Sequence, residues 1–287
     1  MNFMDFARTH GLEIKDLRVG EKIWRCATSD HPRSTNGAYF FDGRRGWVQN
    51  WATGQPLQWW HDQDSQPWTE AEKREWARRR TDERRRRAQL AKKAAQKAAQ
   101  LIAEGKQDHH DYLARKGFKE ARGIVAPDGS LVVPMRDVET YELVGAQLIS
   151  YDGKAWVKKM VYGMKAAGAV LRIGSQSGES VLCEGYSTAL SIAAAIDRLN
   201  LRIAVYATFS ADNLARVAPM ISGKRYVFAD HDTSQTGQLA ADRTGLPWVM
   251  SDTEGDDAND LHQRDGLIPV CRLLMTARNA REGGRAQ

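Results

Sequence analysis

Val181 to Asn200, VLCEGYSTALSIAAAIDRLN, is the stretch on which the fold reading turns. It opens with a short apolar run that ends on an acid, VLCE, and continues from Tyr186 without glycine or proline, with apolar residues at helical spacing. Three units of the same kind follow: LRIAVYAT with ADNLARVAPM, KRYVFAD with SQTGQLAADRTG, and PWVMSD with ANDLHQRDG. Short apolar strands alternating with amphipathic helices predict a parallel sheet covered on both faces. Such sheets bind their ligands at the carboxyl ends of the strands.

The acids fall at those ends. Glu184 closes the first strand, Asp230 and Asp232 close the third, and Asp256, Asp257 and Asp260 follow the fourth. Two carboxylates one residue apart can face one site and bridge hard cations, which prefer oxygen ligands. Gathered carboxylates repel one another unless a cation neutralises them, and magnesium, held by a few carboxylates plus substrate phosphates, is the natural choice. Tyr186, Ser187 and Thr188 open a helix whose free N–H groups can receive phosphate, although Tyr186 serves equally well as packing beneath the site.

The ordered set EGYSTA (184–189), DHD (230–232) with Gly237 soon after, and GDDANDLH (255–262) resembles a Toprim domain. That is the catalytic fold of bacterial-type primases, type IA and II topoisomerases and some nucleases, and the resemblance runs over roughly residues 180–265. EGYSTA is similar to the EGYATA signature of primases from satellite phages and conjugative plasmids, with Ser187 in place of alanine. Cellular replicative primases usually carry an acid where Thr188 stands, so the mobile-element branch fits better. The preceding VVPMRD, LVGAQLIS and KKMVYGMKAAGAVLRIG look like the basic subdomain that precedes Toprim in primases, extending the resemblance back to about residue 108.

What the resemblance implies is a DNA primase that binds single-stranded template, joins ribonucleoside triphosphates and releases pyrophosphate. Asp230 and Asp232 would hold magnesium or manganese, and Glu184 would act as general base or further ligand. Asp257, at the aspartate of the GxD motif, comes next, followed by Asp256 and Asp260. Lys158, Lys159, Lys165 and Arg172, with Tyr186 and Thr188, would contact template or nucleotide. A Toprim nuclease would use the same acids to cleave. A single-stranded-DNA-binding replication protein with an inactive Toprim domain would more plausibly have lost one of Glu184, Asp230 and Asp232. A topoisomerase needs a gate and a tyrosine nucleophile for which 287 residues leave little room. No GxxxxGK[ST] loop occurs, so a replicative helicase would be a separate protein.

Outward from this core, four regions are expected: a Trp-rich β module (1–66), a long basic helical linker (67–107), a basic α+β subdomain (108–179), and the Rossmann-like Toprim domain with a C-terminal helix (180–287). Residues 108–179 read as a short helix, DYLARKG, followed by strands GIVA, LVVPMRD, LVGAQLIS and AWVKKMVYG. Thr69 to Glu104 lacks glycine and proline and is rich in helix formers; with Thr69 and Glu72 as a capping box and Gly105 as a stop, it predicts a helix of about 54 Å. The module at 1–66 holds five of the nine tryptophans in short pieces such as KIWRC, AYFFDG and GWVQNW. They supply a core there, or Trp47 and Trp51 stack on single-stranded bases beside Arg44 and Arg45. Cys26, His31 and His61 lack the paired spacing of a structural zinc site.

Charge divides along the same line. Residues 173–287 carry 11 Lys+Arg and 14 Asp+Glu, against 31 and 22 before them, so the first part is suited to polyanions and the second concentrates carboxylates. Residues 1–107 are accordingly expected to add template affinity and no chemistry. At 42% hydrophobic and 27% charged the composition is that of a folded protein. Three scattered cysteines give no disulfide framework, and the N-terminus shows neither a signal nor a transit peptide, so a cytoplasmic setting is expected, that of a bacterial host for a phage or plasmid protein. The longest mostly apolar run, Ala189 to Ile196, falls far short of the roughly 20 residues of a membrane span.

Overall fold

A computed structural model describes residues 1–287 except 34, 52, 54, 55, 62–68, 177, 281, 282 and 287, and the side chains of 21 and 72. The chain divides into two compact units, Met1–Arg80 and Thr81–Gln287.

The first unit begins with helix α1 (Phe3–Thr9), then strands β1 (Leu12–Glu13), β2 (Gly20–Thr28), β3 (Gly37–Phe41), β4 (Arg45–Asn50) and β5 (Gln58–His61), which form one antiparallel sheet in sequence order. Alternation along the strands gives the sheet two faces. On the inner face Tyr39, Phe41, Val48 and Trp60 close against Phe3 and Ala7 of α1, with the Phe3 ring stacked on Phe41 at 4.5 Å between centroids. Gly46 lets that ring down onto β4, since a Cβ there would overlap Phe3.

Helix α2 (Glu70–Glu104) runs unbroken for 35 residues, as its composition predicts. Its N-terminal half is largely exposed and carries ion pairs such as Lys73–Glu70 and Arg87–Glu83, each 2.8 Å, of the kind that support a solvated helix. The expected cap from Glu72 lies outside the described side chains. Farther along, Ala94, Ala98 and Leu101 are buried against Ala126, Val132, Ala146 and Val161, and the small alanines let helix and sheet approach closely. The helix stops at Gly105, where a Cβ would stand 2.7 Å from Ile124 Cγ2.

Then come β6 (Lys106–Asp108), α3 (Asp111–Arg115), β7 (Gly123–Val125), β8 (Leu131–Asp137), β9 (Leu143–Tyr151), β10 (Trp156–Met160), β11 (Ala169–Ile173), β12 (Glu179–Cys183), α4 (Tyr186–Arg198), β13 (Ala204–Ala207), α5 (Ala211–Val217), β14 (Lys224–Phe228), α6 (Thr236–Thr244), β15 (Pro247–Val249), α7 (Ala258–Asp265), α8 (Leu267–Asn279) and β16 (Gly284–Arg285). Strands β13, β12, β14 and β15 lie in that order and are parallel. Helices α4, α7 and α8 cover one face of them, and α5 and α6 cover the other. Because β13 and β14 flank β12 on opposite sides, the winding reverses there, and the crevice between the carboxyl ends of β12 and β14 is the switch point where such sheets bind ligands.

The expectation of a parallel sheet holds for these four strands, but the complete sheet is mixed. Strand β11 runs antiparallel to both β13 and β8, pairing Leu171 with Ala207 and Ala169 with Asp137. It fuses β6–β10 to the parallel strands in one 11-stranded sheet. The turn into β11 is held by buried Asn213 of α5: its Oδ1 accepts from the Gly168 N–H at 2.7 Å, and its Nδ2 donates to the Ala169 and Thr208 carbonyls at 2.8 Å. Asn213→Ala leaves three buried backbone groups unpaired and should lower stability by about 3 kcal/mol in urea unfolding. A loss below about 1 kcal/mol would mean the turn is held by something else.

Candidate active site

Glu184 follows β12 directly and Asp230 lies two residues beyond β14, so the switch point brings these two acids together. Beneath them the buried Cys183 thiol has its pKa raised by burial and then by the negative charges of Asp230, Asp257 and Glu184, three acids that therefore converge around it. Asp230 is the most unfavourably placed. Its Oδ1 is buried without a hydrogen-bond partner, and its pKa is pushed up to about 8 by burial first, then by Asp257, Glu184 and Asp232, with Lys158 of β10 opposing. Glu184 is raised by burial and by Asp232, while the Ala211 N–H at the start of α5 works the other way.

Asp232 differs. Burial works to raise it, but the Ser234 hydroxyl and the Gly237, Thr236 and Ser234 N–H groups outweigh burial and hold it below the usual carboxylate range. Its Oδ2 accepts from Gly237 at 2.9 Å and its Oδ1 from Thr236 at 3.1 Å, so it fixes the start of α6. Left-handed backbone stands on both sides of the crevice, at Phe209 (φ 65°), whose N–H donates to the Glu184 carbonyl at 2.8 Å, and at Gln235 (φ 58°). Such conformations persist only where surrounding structure enforces them.

The remaining sequence candidates divide. Asp257 caps α7, its Oδ1 accepting from the Asn259 N–H at 2.6 Å and its Oδ2 from the Thr188 hydroxyl at 2.9 Å. Asp260 closes the capping box through the Asp257 N–H and pairs with Lys116 at 3.4 Å. Asp256 accepts from Ser251 at 2.9 Å and pairs with Arg264, outside the converging group. Thr188 is fully buried on Asp257, and Tyr186 packs with Tyr112 and Leu113, its hydroxyl pushed up to about 12 by burial and then by Tyr112. The first turn of α4 receives no side-chain cap from Gly185, which leaves its N–H groups available to an anion.

Among the basic residues Lys158 acts on Asp230. Its neighbour Lys159 is exposed and, one residue on, points to the opposite face of β10. Lys165 pairs with Asp137 at 3.3 Å and Arg172 lies 4.0 Å over the Tyr141 ring, so these two gather around the β8–β9 turn. In the first unit, Trp47 stacks on Phe40, Arg25 lies over Trp51, and the Arg44 and Arg45 N–H groups donate to Asp42. Sequence reasoning passed over His231. Its N–H donates to the Asp256 carbonyl at 2.9 Å, its carbonyl accepts from Gly255 at 2.6 Å and its ring bonds the Ser251 carbonyl, clamping the 251–256 loop to the Asp230 loop.

Residues 179–267 match the family model of the Toprim domain. The converging acids all lie inside this Toprim domain, while β6–β11 and the first unit lie outside the matched span. No curated protein matches the chain. Among solved structures, a chain from the bacteriophage T7 lagging-strand DNA polymerase interacting with primase domains of two gp4 subunits bound to an RNA/DNA hybrid and dTTP is similar over 63% of this chain and 93% of its own, at 15% identity and a TM-score of 0.40. No helix among the described residues is long and apolar enough to cross a membrane.

Among the described residues no three Asp, Glu, His or Cys side chains are grouped to hold a metal unaided. Magnesium does not require three: it is commonly held by one or two carboxylates together with substrate phosphates and water. The unpaired buried oxygen of Asp230, with Glu184 beside it, fits that role, because a cation would satisfy the oxygen and reverse the electrostatics that now disfavour its charge.

Gly237 of the Toprim domain sets the height of this loop, since a Cβ there would overlap the Asp230 carbonyl oxygen and stand 3.2 Å from its nitrogen. Gly237→Ala is expected to displace Asp230 and to cost about 2 kcal/mol in thermal unfolding. Unchanged melting would mean the loop gives way freely.

Proposed function

We propose that the chain is a DNA primase, a nucleotidyltransferase that makes short RNA primers on single-stranded DNA for replication of a phage or plasmid. The observation that carries this reading is the unpaired, buried Asp230 carboxylate beside Glu184 at the switch point of a Toprim domain. EGYSTA at 184–189 supports the primase branch over others. Bound magnesium or manganese would neutralise the triphosphate and help activate the primer 3′-hydroxyl. Asp230 would hold it, with Glu184 beside it as a further ligand or as the general base, and with Asp232 adding negative charge while fixing the loop. Glu184, raised by burial and by Asp232, is suited to accept the proton of the attacking hydroxyl. The uncapped N–H groups of α4 and the Lys158 ammonium receive phosphate oxygens of the incoming nucleotide, and Lys159, Lys165 and Arg172 contact the template backbone. A helicase that opens the duplex would be a partner, and the setting would be the host cytoplasm.

The test gives the protein magnesium and single-stranded DNA, with and without the four ribonucleoside triphosphates, and sizes the products. Short RNA and pyrophosphate are expected with nucleotides, and intact DNA without them. Metal-dependent shortening of the DNA with no ribonucleotide incorporated would replace the primase by a nuclease. Binding without either reaction would leave a replication protein with an inactive site.

A further inference from the structure

The inner face of the N-terminal sheet accounts for its core, but the outer face is also aromatic. Register places Phe40 of β3 opposite Trp47 of β4, and Trp47 opposite Trp59 of β5, so three rings cross three strands on the face turned away from α1. Phe40 and Trp47 lie near parallel, 6.5 Å between centroids and 20° between planes. Trp59 and His61 are parallel to within 7° at 6.4 Å. Four residues after Trp47 and just beyond β4, Trp51 carries the Arg25 guanidinium 3.9 Å above its ring, and Arg45 pairs across with His61. Trp59 is 59% exposed and Trp51 is 40% exposed. The solvated face of an antiparallel sheet is ordinarily polar, and none of these rings belongs to the hydrophobic cluster beneath α1.

We infer that this outer face is a stacking platform for single-stranded DNA, with Phe40, Trp47 and Trp59 receiving successive bases and Arg25 and Arg45 meeting the phosphates. Phe40 and Trp47, near parallel on neighbouring strands, and the exposed Trp59 suit unpaired bases, whose π faces accept any flat aromatic surface, and the guanidiniums match the polyanionic backbone. A duplex hides its base faces and has no use for such a row. An apolar protein partner would have no use for the arginines. The platform belongs to the first unit, and its occupancy does not depend on which reaction Asp230 and Glu184 of the second carry out.

The test uses the full chain and fluorescently labelled oligo(dT), followed by anisotropy at several salt concentrations, with oligo(U) and duplex DNA as parallel arms. Trp59→Ala and Trp47→Ala should each weaken oligo(dT) binding roughly tenfold with an unchanged salt slope, because a ring releases no counterions. Arg45→Ala should instead flatten the slope by about one. Trp59→Phe keeps a ring and should recover most of the affinity, and circular dichroism of each variant reports the inner-face fold. Binding is measured without divalent metal or nucleotides, so loss of chemistry and loss of the platform are read separately. Equal binding of oligo(U) is compatible with stacking and supports the platform. Unchanged oligo(dT) affinity in folded Trp47→Ala and Trp59→Ala would overturn it. So would duplex binding that equals oligo(dT) binding and falls with the same variants, or a Trp59-dependent self-association without any effect on DNA.

Discussion

Asp230→Asn is expected to reduce primer synthesis by at least about a thousandfold while making the metal-free protein more stable at pH 8. The two effects have one origin. In the folded chain the carboxyl titrates at about 8, pushed there by burial and then by Asp257, Glu184 and Asp232, whereas in the unfolded chain it returns to the ordinary 3.8. Between those values the native state holds a proton that the unfolded state has released. Wild-type stability without metal must therefore fall as pH rises from about 4 to about 8, by up to about 1.4 kcal/mol per pH unit. Asparagine has no charge to lose, so its melting temperature should lie above the wild type at pH 8 and lose this part of the slope. Thermal melts from pH 5 to pH 8.5 in chelator measure it. A variant that melts lower throughout would mean that Asp230 is a structural partner.

Glu184→Gln should lower primer synthesis about a hundredfold or more with single-stranded DNA binding retained. Glutamine keeps the size and can still accept the Ala211 N–H through its carbonyl, so the start of α5 stays in place. What is lost is the carboxylate proposed to take the hydroxyl proton and one cause of the raised Asp230 carboxyl. The pH dependence of stability should accordingly weaken in this variant too. Normal primer synthesis by folded Glu184→Gln would remove Glu184 from the chemistry.

The sequence made the strand ends visible because β12 to β15 are local alternations of apolar runs and amphipathic helices, and Glu184 and Asp230 sit where those runs stop. It did not show that one converging acid, Asp257, is also a helix cap. Asp257-x-x-Asp260 ahead of α7 carries the spacing of a capping box, a signal that was there to be read. The Asp232 hydrogen bonds, by contrast, depend on the left-handed turn at Gln235, which has no strong sequence mark. Lys158 acts on Asp230 from some seventy residues upstream, a proximity fixed by tertiary topology and not by local sequence. The aromatic row across Phe40, Trp47 and Trp59 likewise needs the β3–β4–β5 register, since on the sequence alone Trp59 and Trp60 are indistinguishable, yet one lies outside and the other joins the core.

In the proposed reaction Asp230 gives up a proton to take a divalent cation. Calorimetric titration of magnesium or manganese into the protein at pH 7, repeated in buffers of different ionisation enthalpy, counts the protons released on binding. The raised carboxyl, at about 8, predicts close to one proton released by the wild type and neither release nor comparable affinity in Asp230→Asn. Equal metal affinity in the two proteins, or binding by the wild type with no proton released, would contradict it.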